Sequence, residues 1–168
     1  MSGDKPAPED SEGDSSSDFN LDAGVPLTTI AAVLENELAA IYPDSKKYDF
    51  AEISLTFATP DEIRKLNHDY RNVDEPTDVL SFPLIDFENE DEKFFMPVLT
   101  LGDIVICPEE VSRLHSELEK NEAIYLMIAH SFLHLLGFDH DTEEKEKIMW
   151  QKQDEIKSKI LSALAEAK

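Results

Sequence analysis

The sequence contains only one cysteine and no long apolar run, and each shortage excludes a class of protein. The single Cys107 cannot form a disulfide within the chain and suits a reducing compartment. No run approaches the roughly 18 apolar residues of a membrane span, so no membrane association is expected. The first residues, MSGDKPAPEDSEGDSSSD, lack the apolar core of a secretion signal. The simplest interpretation is a cytoplasmic protein.

Basic residues are also scarce. The 168 residues include 15 lysines and arginines against 37 aspartates and glutamates, which gives a net charge of −22. That balance opposes non-specific binding to nucleic acid, in which lysine and arginine contact the phosphates. It is also typical of a surface adapted for solubility. A polyanionic partner would therefore need a local positive site, and a bound metal cation is one way to provide it.

The start of the chain differs in composition from the rest. Its first 22 residues are rich in serine, aspartate, glutamate, proline and glycine and poor in large apolar groups. Such a segment cannot bury enough surface to offset the entropy cost of ordering, so residues 1–22 are predicted to form a disordered acidic tail. The remaining length suits one compact domain, residues 23–168.

Apolar periodicity and turn-forming residues predict the order of helices and strands. Apolar residues repeat every three or four positions in the helical segments and every second position in the half-buried strand. The predicted helices lie at 26–42, 59–71, from 108 onward, 122–136 and 141–165. The predicted strands lie at 50–58, 78–84 and 98–108. Because the strands come mostly before the later helices, we predict an α+β fold with a small mixed sheet packed against helices.

Several residues mark where these elements begin or bend. Thr59 with Glu62 forms the pattern of a capping box, and Asp141 with Glu144 is interpreted as a second one before the last helix. Gly102 is predicted to mark a bulge in the third strand.

The stretch HSFLHLLGFDH, His130 to His140, places three histidines on or beside one apolar helix. His130 and His134 are four residues apart, so they lie on one helix face, where two imidazoles can share a metal ion. Gly137 allows a sharp turn that leads to His140. Three neutral imidazoles with one open position are typical of a catalytic zinc site. We interpret the trio as ligands of one zinc ion whose water attacks an electrophile.

The same spacing occurs in metzincin proteases, where a glutamate after the first histidine is the general base. Here that position is Ser131, so this zincin-like metal helix lacks the base of a protease. Asp139 could orient a ligand, act on the water or hold the turn, and holding the turn is the favoured interpretation. Copper, nickel or iron would also accept three imidazoles. His68 and His115 do not share the spacing and are interpreted as surface residues.

Other residues near the trio are assigned structural roles. Thr77 and Asp78 follow Pro76 and are interpreted as turn residues that start a strand, although Asp78 and Ser81 could also line a cleft. Core packing is predicted for Tyr125, Leu126, Ile128, Leu133, Met149 and Trp150.

Three segments together resemble the YbeY-type endoribonucleases, a family of bacterial ribosomal RNA maturation factors. These segments are HSFLHLLGFDH, LNHDYRNVDEPTDVLSFP (66–83) and LGDIVICPEEV (101–111). The family usually has a glycine at the position of Ser131 and a tyrosine at that of Phe138, and neither position holds a ligand. The resemblance runs from about Pro26 to the C-terminus.

This resemblance implies a zinc-dependent endoribonuclease that prefers single-stranded RNA, acts in maturation of the 3′ end of small-subunit ribosomal RNA and takes part in ribosome quality control. Its partners would be the ribosomal RNA precursor and components of the small ribosomal subunit, not DNA. The family's metal ligands map to the three histidines, and its functional arginine maps to Arg71. A guanidinium suits phosphate oxygens, although by sequence alone an ion pair with Asp74 or Glu75 is the commoner fate of such an arginine.

Two alternatives follow from the missing glutamate and the lack of an obvious general base. One is a ribosome-assembly or RNA-binding factor with a structural metal, which would have a fourth protein ligand and would unfold on chelation. The other is a metallopeptidase, which Ser131 disfavours.

Overall fold

The computed structural model describes residues 25–87 and 97–168. The predicted acidic tail and most of the charged segment that follows the second strand lie outside these residues. The helices are α1 Leu27–Ile41, α2 Pro60–Arg71, α3 Pro108–Leu114, α4 Lys120–Leu135 and α5 Glu143–Glu166, with a short 3-10 helix at Pro43–Lys47. The strands are β1 Phe50–Phe57, β2 Val79–Pro83 and β3 Val98–Ile106. The fold is α+β, as predicted, and no helix within the described ranges is long and apolar enough to cross a membrane.

The first predicted capping box is present, and the second prediction was wrong by one residue. Thr59 accepts a hydrogen bond from the backbone of Glu62, whose side chain accepts one from the Thr59 backbone in return. At α5 the N-cap is Thr142, which accepts from the backbone N–H of Lys145. Because the helix begins at Glu143, the third helical residue is Lys145 rather than the glutamate that a box requires. Asp141 instead forms an ion pair with the Lys145 side chain at 2.9 Å.

Strand β3 lies between β1 and β2 in a three-stranded sheet. It runs parallel to β1 and antiparallel to β2, which makes the sheet mixed. The pairing with β1 shifts between Glu52 and Ile53, so that the register skips Leu101 and resumes at Gly102. This irregularity is the bulge that the sequence predicted.

The sheet is covered by helices on both faces. Ile104 and Ile106 of β3 pack into the main core with residues of α1, α4 and α5. Val105 points the other way and joins Leu80 of β2 and Ile63 of α2 in a smaller cluster. This alternation is the period of two that a strand imposes on its side chains. Helix α4 lies in the middle of the molecule, between the sheet and α5.

Gly102 allows the close approach of three elements. Its φ is +145°, a backbone conformation that glycine adopts without strain. A Cβ atom at this position would lie 2.2 Å from the Phe82 carbonyl oxygen of β2 and 2.9 Å from Leu135 Cδ2 of α4. The absence of a side chain therefore lets the end of the histidine helix pack directly on the sheet.

Candidate metal centre

Helix α4 carries the first two histidines on a segment that the core holds in place. Ten of its sixteen residues are buried. His130 and His134 are half-buried and lie one turn apart on the side of the helix that faces a cleft. Since most of the remaining helix surface is packed, the backbone under the two imidazoles has little freedom to move.

The turn after α4 brings the third histidine back toward the helix. Gly137 has φ +89°, and its N–H donates to the His134 carbonyl at 3.0 Å. The N–H of Phe138 donates to the Leu133 carbonyl at 3.0 Å, which completes a Schellman motif. This turn directs the Phe138 carbonyl onto His134, whose Nδ1 lies 2.9 Å away. The left-handed glycine predicted from the sequence therefore helps to orient one imidazole and to place another.

The three imidazoles converge on one point. The Nε2 atoms of His130 and His134 are 3.1 Å apart. Potential ligand nitrogens of all three histidines lie within 4.8 Å of one another, and within the described part of the chain no fourth His, Cys, Asp or Glu joins the group. His140, which completes the trio, is exposed. The cluster is therefore open on one side, the arrangement of a site with a free coordination position.

Two hydrogen bonds set the orientation of the buried rings. Gln153 of α5 places its Oε1 2.9 Å from His130 Nδ1, and the Phe138 carbonyl occupies the same position on His134. Each acceptor oxygen favours the tautomer with a proton on Nδ1, so both Nε2 atoms carry free lone pairs. Two lone pairs 3.1 Å apart repel unless a cation lies between them. Nitrogens bound at about 2.0–2.1 Å to one tetrahedral zinc lie about 3.3–3.4 Å apart, so the residues fit such an ion.

Burial favours the neutral state of these rings. Desolvation is the largest cause that lowers the pKa of both His130 and His134. The hydrogen bonds with Gln153 and the Phe138 carbonyl oppose this shift. A neutral imidazole is the form that binds a metal, so the surroundings of both rings favour ligation over protonation.

The histidines lie in a cleft of about 510 Å³, which we call the histidine cleft. One side, the ligand wall, is formed by α4 and α5 through Leu126, Met127, His130, His134, Trp150 and Gln153. A second part of the lining, which we call the arginine wall, comes from the end of α2, the start of β2 and the residue after α3 through Arg71, Thr77, Asp78, Ser81 and His115. Asp139 and His140 also contribute to the lining.

Arg71 lies at the exposed end of α2 and faces the histidine cleft. The alternative ion pair of Arg71 with Asp74 or Glu75 is not found among the described residues, and Asp74 instead binds Arg64 through two hydrogen bonds of 2.9 and 3.1 Å. Within the described ranges the Arg71 side chain has no hydrogen-bond or ion-pair partner, so its guanidinium is available to a ligand in the cleft.

The acids beside the trio keep the structural roles assigned to them. Asp139 accepts a hydrogen bond of 2.8 Å from the His140 backbone and so supports the turn. Asp78 accepts from the Val79 backbone at 2.8 Å and from the Thr77 hydroxyl at 3.1 Å. Ser131 is buried, does not line the histidine cleft and has a hydroxyl without a partner among the described residues. Its position excludes the role of the metzincin glutamate.

Three residues of the histidine cleft were misassigned or missed by the sequence analysis. His115 is not a surface residue, because it is half-buried and its Nε2 lies 3.0 Å from Asp78 Oδ2. Met149 is buried as predicted, but Trp150 is 46% exposed and lines the cleft instead of packing in the core. Gln153 gave no signal, since nothing in a sequence relates a helical glutamine to a histidine 23 positions earlier.

The chain was compared with known protein families and curated proteins. A family model described as endoribonuclease YbeY matches residues 18–161. The endoribonuclease YbeY of Thermoanaerobacter sp. (strain X514) is 40% identical over 145 residues, which cover 81% of this chain and 91% of that protein. The endoribonuclease YbeY of Geobacillus kaustophilus is 43% identical over 137 residues, which cover 77% and 80% of the two chains.

A solved structure has a similar fold. The solution structure of TM1509 from Thermotoga maritima aligns with a TM-score of 0.50 and 26% sequence identity. The alignment covers 85% of this chain and 89% of that one. The likeness therefore extends over most of the chain.

Proposed function

The chain belongs to the endoribonuclease YbeY family, and from that premise we propose that it cuts single-stranded RNA in the histidine cleft. As a member of this family the protein is an endoribonuclease, a hydrolase that cuts RNA internally. The observation that carries the more specific proposal is the convergence of His130, His134 and His140 in a cleft that Arg71 also lines, without an ion-pair partner among the described residues. We further propose the RNA precursor of the small ribosomal subunit as the substrate, with roles in 3′-end maturation and ribosome quality control in the cytoplasm.

The metal assigned to the cleft is zinc, held by His130, His134 and His140. A bound zinc ion is a Lewis acid that makes water nucleophilic near neutral pH. The protein's own contribution is to keep two imidazoles neutral and correctly oriented through Gln153 and the Phe138 carbonyl. Such outer hydrogen bonds raise the affinity of a histidine site for its metal. The exposed side of the cluster leaves room for water and substrate.

Arg71 is assigned to the scissile phosphate. The lining of the histidine cleft contains one arginine and two aspartates, Asp78 and Asp139, so without a metal its formal charge is negative. A divalent cation reverses that sign and supplies the local positive site that an acidic protein needs to hold RNA. The planar guanidinium of Arg71 can then bind two phosphate oxygens and stabilise the charge that develops on them.

The preference for single strands is assigned to Trp150. This residue lies one turn before Gln153 on α5 and lines the histidine cleft together with Leu126 and Met127 of α4, so an exposed aromatic ring shares the cleft with the three histidines. An unpaired base can stack on such a ring, with a contribution of about 1–3 kcal/mol per base. A base in a duplex is already stacked and paired and cannot make this contact. The ligand wall therefore selects for unpaired RNA near the metal.

Metal analysis combined with cleavage assays tests the proposed function. Purified protein is expected to contain about one zinc per chain and to cut a single-stranded RNA much faster than a duplex of the same sequence. Chelation is expected to stop cleavage, and added zinc to restore it. An RNA that extends beyond the mature 3′ end of small-subunit ribosomal RNA should be cut in the extension or at the mature end.

Two results would contradict the proposal. Full cleavage by metal-free protein would remove the metal from the reaction. Binding of RNA without cleavage, together with unfolding on chelation, would identify an RNA-binding factor with a structural metal.

Base stacking can be measured separately through the fluorescence of Trp150, because it is the only tryptophan in the chain. Binding of a short single-stranded RNA should quench its fluorescence, whereas a duplex or an abasic strand should change the signal little. Trp150→Leu should weaken single-strand binding by about 5- to 30-fold, which corresponds to about 1–2 kcal/mol per stacked base. Equal quenching by the abasic strand would show that no base stacks on this residue.

A further inference from the structure

A histidine–aspartate pair lies in the histidine cleft outside the metal cluster. His115 Nε2 is 3.0 Å from Asp78 Oδ2, and both side chains are about four-fifths buried, with 23% and 21% of their surface exposed. His115 follows α3 and Asp78 precedes β2, so the pair joins two elements 37 positions apart. Both residues line the same cleft as the three metal-binding histidines.

Hydrogen bonds hold this pair in a defined arrangement. The second carboxylate oxygen of Asp78 accepts from the Val79 backbone and the Thr77 hydroxyl, and its backbone carbonyl accepts from Cys107 N–H at 2.8 Å. The remaining Oδ2 accepts the Nε2–H of His115. This orientation leaves Nδ1 of the imidazole as the nitrogen that can exchange a proton. In the part of the chain that the structure describes, Nδ1 has no hydrogen-bond partner.

Hydrolysis of a phosphodiester requires a proton that the metal cluster does not provide. Water adds its oxygen to phosphorus, the bond between phosphorus and the leaving sugar oxygen breaks, and that oxygen must be protonated to leave as a hydroxyl. A zinc ion held by the three histidines would make the attacking water nucleophilic, but a sugar alkoxide is a poor leaving group without an acid.

We propose that His115 is the general acid of RNA cleavage and that Asp78 is its positioning residue; this proposal rests on the endoribonuclease function above. The protonated imidazole gives its Nδ1 proton to the leaving oxygen as the phosphorus–oxygen bond breaks. The water that attacks loses one proton to solvent, and solvent returns one to His115, so each turnover consumes one water. Asp78 holds the ring by Nε2–H and stabilises its positive charge before the transfer.

The other polar groups of the cleft are less suited to this step. Arg71 does not release a proton at physiological pH. His130 and His134 present Nε2 to each other, and their Nδ1 atoms are occupied by oxygen acceptors. Asp139 is committed to the backbone of His140. Among the described residues of the cleft, His115 is the histidine that is outside the metal cluster and has a carboxylate partner.

A substrate with an activated leaving group separates proton donation from a structural role. His115→Ala and His115→Gln should cut RNA about 10²- to 10⁴-fold more slowly, the usual contribution of a general acid. Both variants should hydrolyse a 4-nitrophenyl phosphodiester of a nucleoside at nearly the wild-type rate, because 4-nitrophenolate leaves without protonation. Added imidazole should restore part of the RNA cleavage by His115→Ala. Asp78→Asn should also slow cleavage of RNA more than hydrolysis of the 4-nitrophenyl diester, but its rate on RNA should fall less than that of the His115 variants.

The chain offers a matched control outside the histidine cleft. His68 Nδ1 lies 3.3 Å from Asp69 Oδ1 in an exposed pair on α2, and His68→Ala should leave both reactions unchanged. Zinc content and the midpoint of thermal unfolding should be the same in wild-type and His115 variants. An equal loss on both substrates, or no loss on RNA, would overturn the role of His115. If wild-type protein with bound zinc fails to cut RNA, the proposed function fails instead.

Discussion

The two walls of the histidine cleft hold their functional residues by different means. The ligand wall is built on α4, whose buried residues fix the backbone beneath His130 and His134, and its rings are oriented by Gln153 and a backbone carbonyl. The arginine wall comes from the end of α2, the start of β2 and the residue after α3, where hydrogen bonds orient Asp78 and no described residue holds Arg71. Under the proposed function, the packed ligand wall would hold the metal in a fixed place and the less constrained arginine wall would adapt to the substrate.

The largest effect is expected when one of the proposed metal ligands is removed from the ligand wall. In His134→Ala one of three metal-binding imidazoles is lost, so zinc affinity should fall by more than the 10–100-fold typical of losing an outer hydrogen bond, and RNA cleavage should fall to background. Zinc titration and an RNA cleavage assay measure the two effects. Circular dichroism should show retained helices, because the core does not include this side chain. Cleavage by the zinc-free variant at the wild-type rate would contradict the metal mechanism.

Removing the Arg71 guanidinium from the arginine wall should weaken the action on the substrate while metal binding is kept. Arg71→Ala should retain zinc and lose about 10²–10³-fold in RNA cleavage, the usual cost of a charge-stabilising group. Arg64→Ala is the matched control, since Arg64 lies on the same helix but is paired with Asp74 outside the cleft. Loss of zinc in Arg71→Ala, or an equal loss of activity in both variants, would show that the two walls do not act separately.

The hydrogen bond between Gln153 of α5 and His130 is expected to orient one proposed metal ligand of the ligand wall. Gln153→Ala leaves His130 Nδ1 without its acceptor, and zinc affinity should fall by about 10–100-fold while the fold is kept. Gln151→Ala is the control, because Gln151 is exposed on the same helix and bonds to Glu155. Competition with a zinc-binding dye measures both affinities. Equal affinities in the two variants would mean that packing alone orients His130.

The smallest expected effect concerns the buried side of α4. Ser131 is fully buried, and its hydroxyl has no hydrogen-bond partner in the described residues. Ser131→Ala removes this unsatisfied group, so the free energy of unfolding should stay unchanged or rise by up to about 1 kcal/mol. Urea unfolding measures the change, and RNA cleavage should be unaffected. A loss of more than about 1 kcal/mol would show that the hydroxyl is bonded in solution.

Much of the secondary structure could be predicted because its causes are local. Apolar periodicity gives α1 and β1, the capping box at Thr59 marks the start of α2, and Gly102 marks the bulge in β3. The α5 cap was misplaced because aspartate and threonine are both good N-cap residues and stand next to each other at 141 and 142. The α+β class was correct, but the parallel pairing of β1 with β3 depends on contacts between distant segments that no local pattern specifies.

In the candidate site, too, the features with local causes could be predicted from the sequence and those that depend on distant segments could not. The three histidines of the cluster are contained in eleven residues, so helix geometry and one glycine turn were enough to predict that their rings converge. The assignment of Arg71 to the site came only from a family resemblance, because an arginine followed by acidic residues forms an ion pair more often than it contacts a ligand. The positions of His115 and Trp150 in the cleft were missed because each depends on which surface the folded chain turns toward the cleft.

By itself the sequence determined the local geometry: two imidazoles one helical turn apart, a left-handed glycine after them and a third imidazole beyond it. Those relations arise from backbone hydrogen bonds between residues at most five positions apart, which the chain forms wherever that helix is placed. Only the tertiary structure decided which distant residues share a cleft with the three rings, namely Gln153 and Trp150 from α5 together with Arg71, Asp78 and His115. Their positions depend on how buried surfaces pack between elements distant in sequence, and no spacing along the chain records that choice.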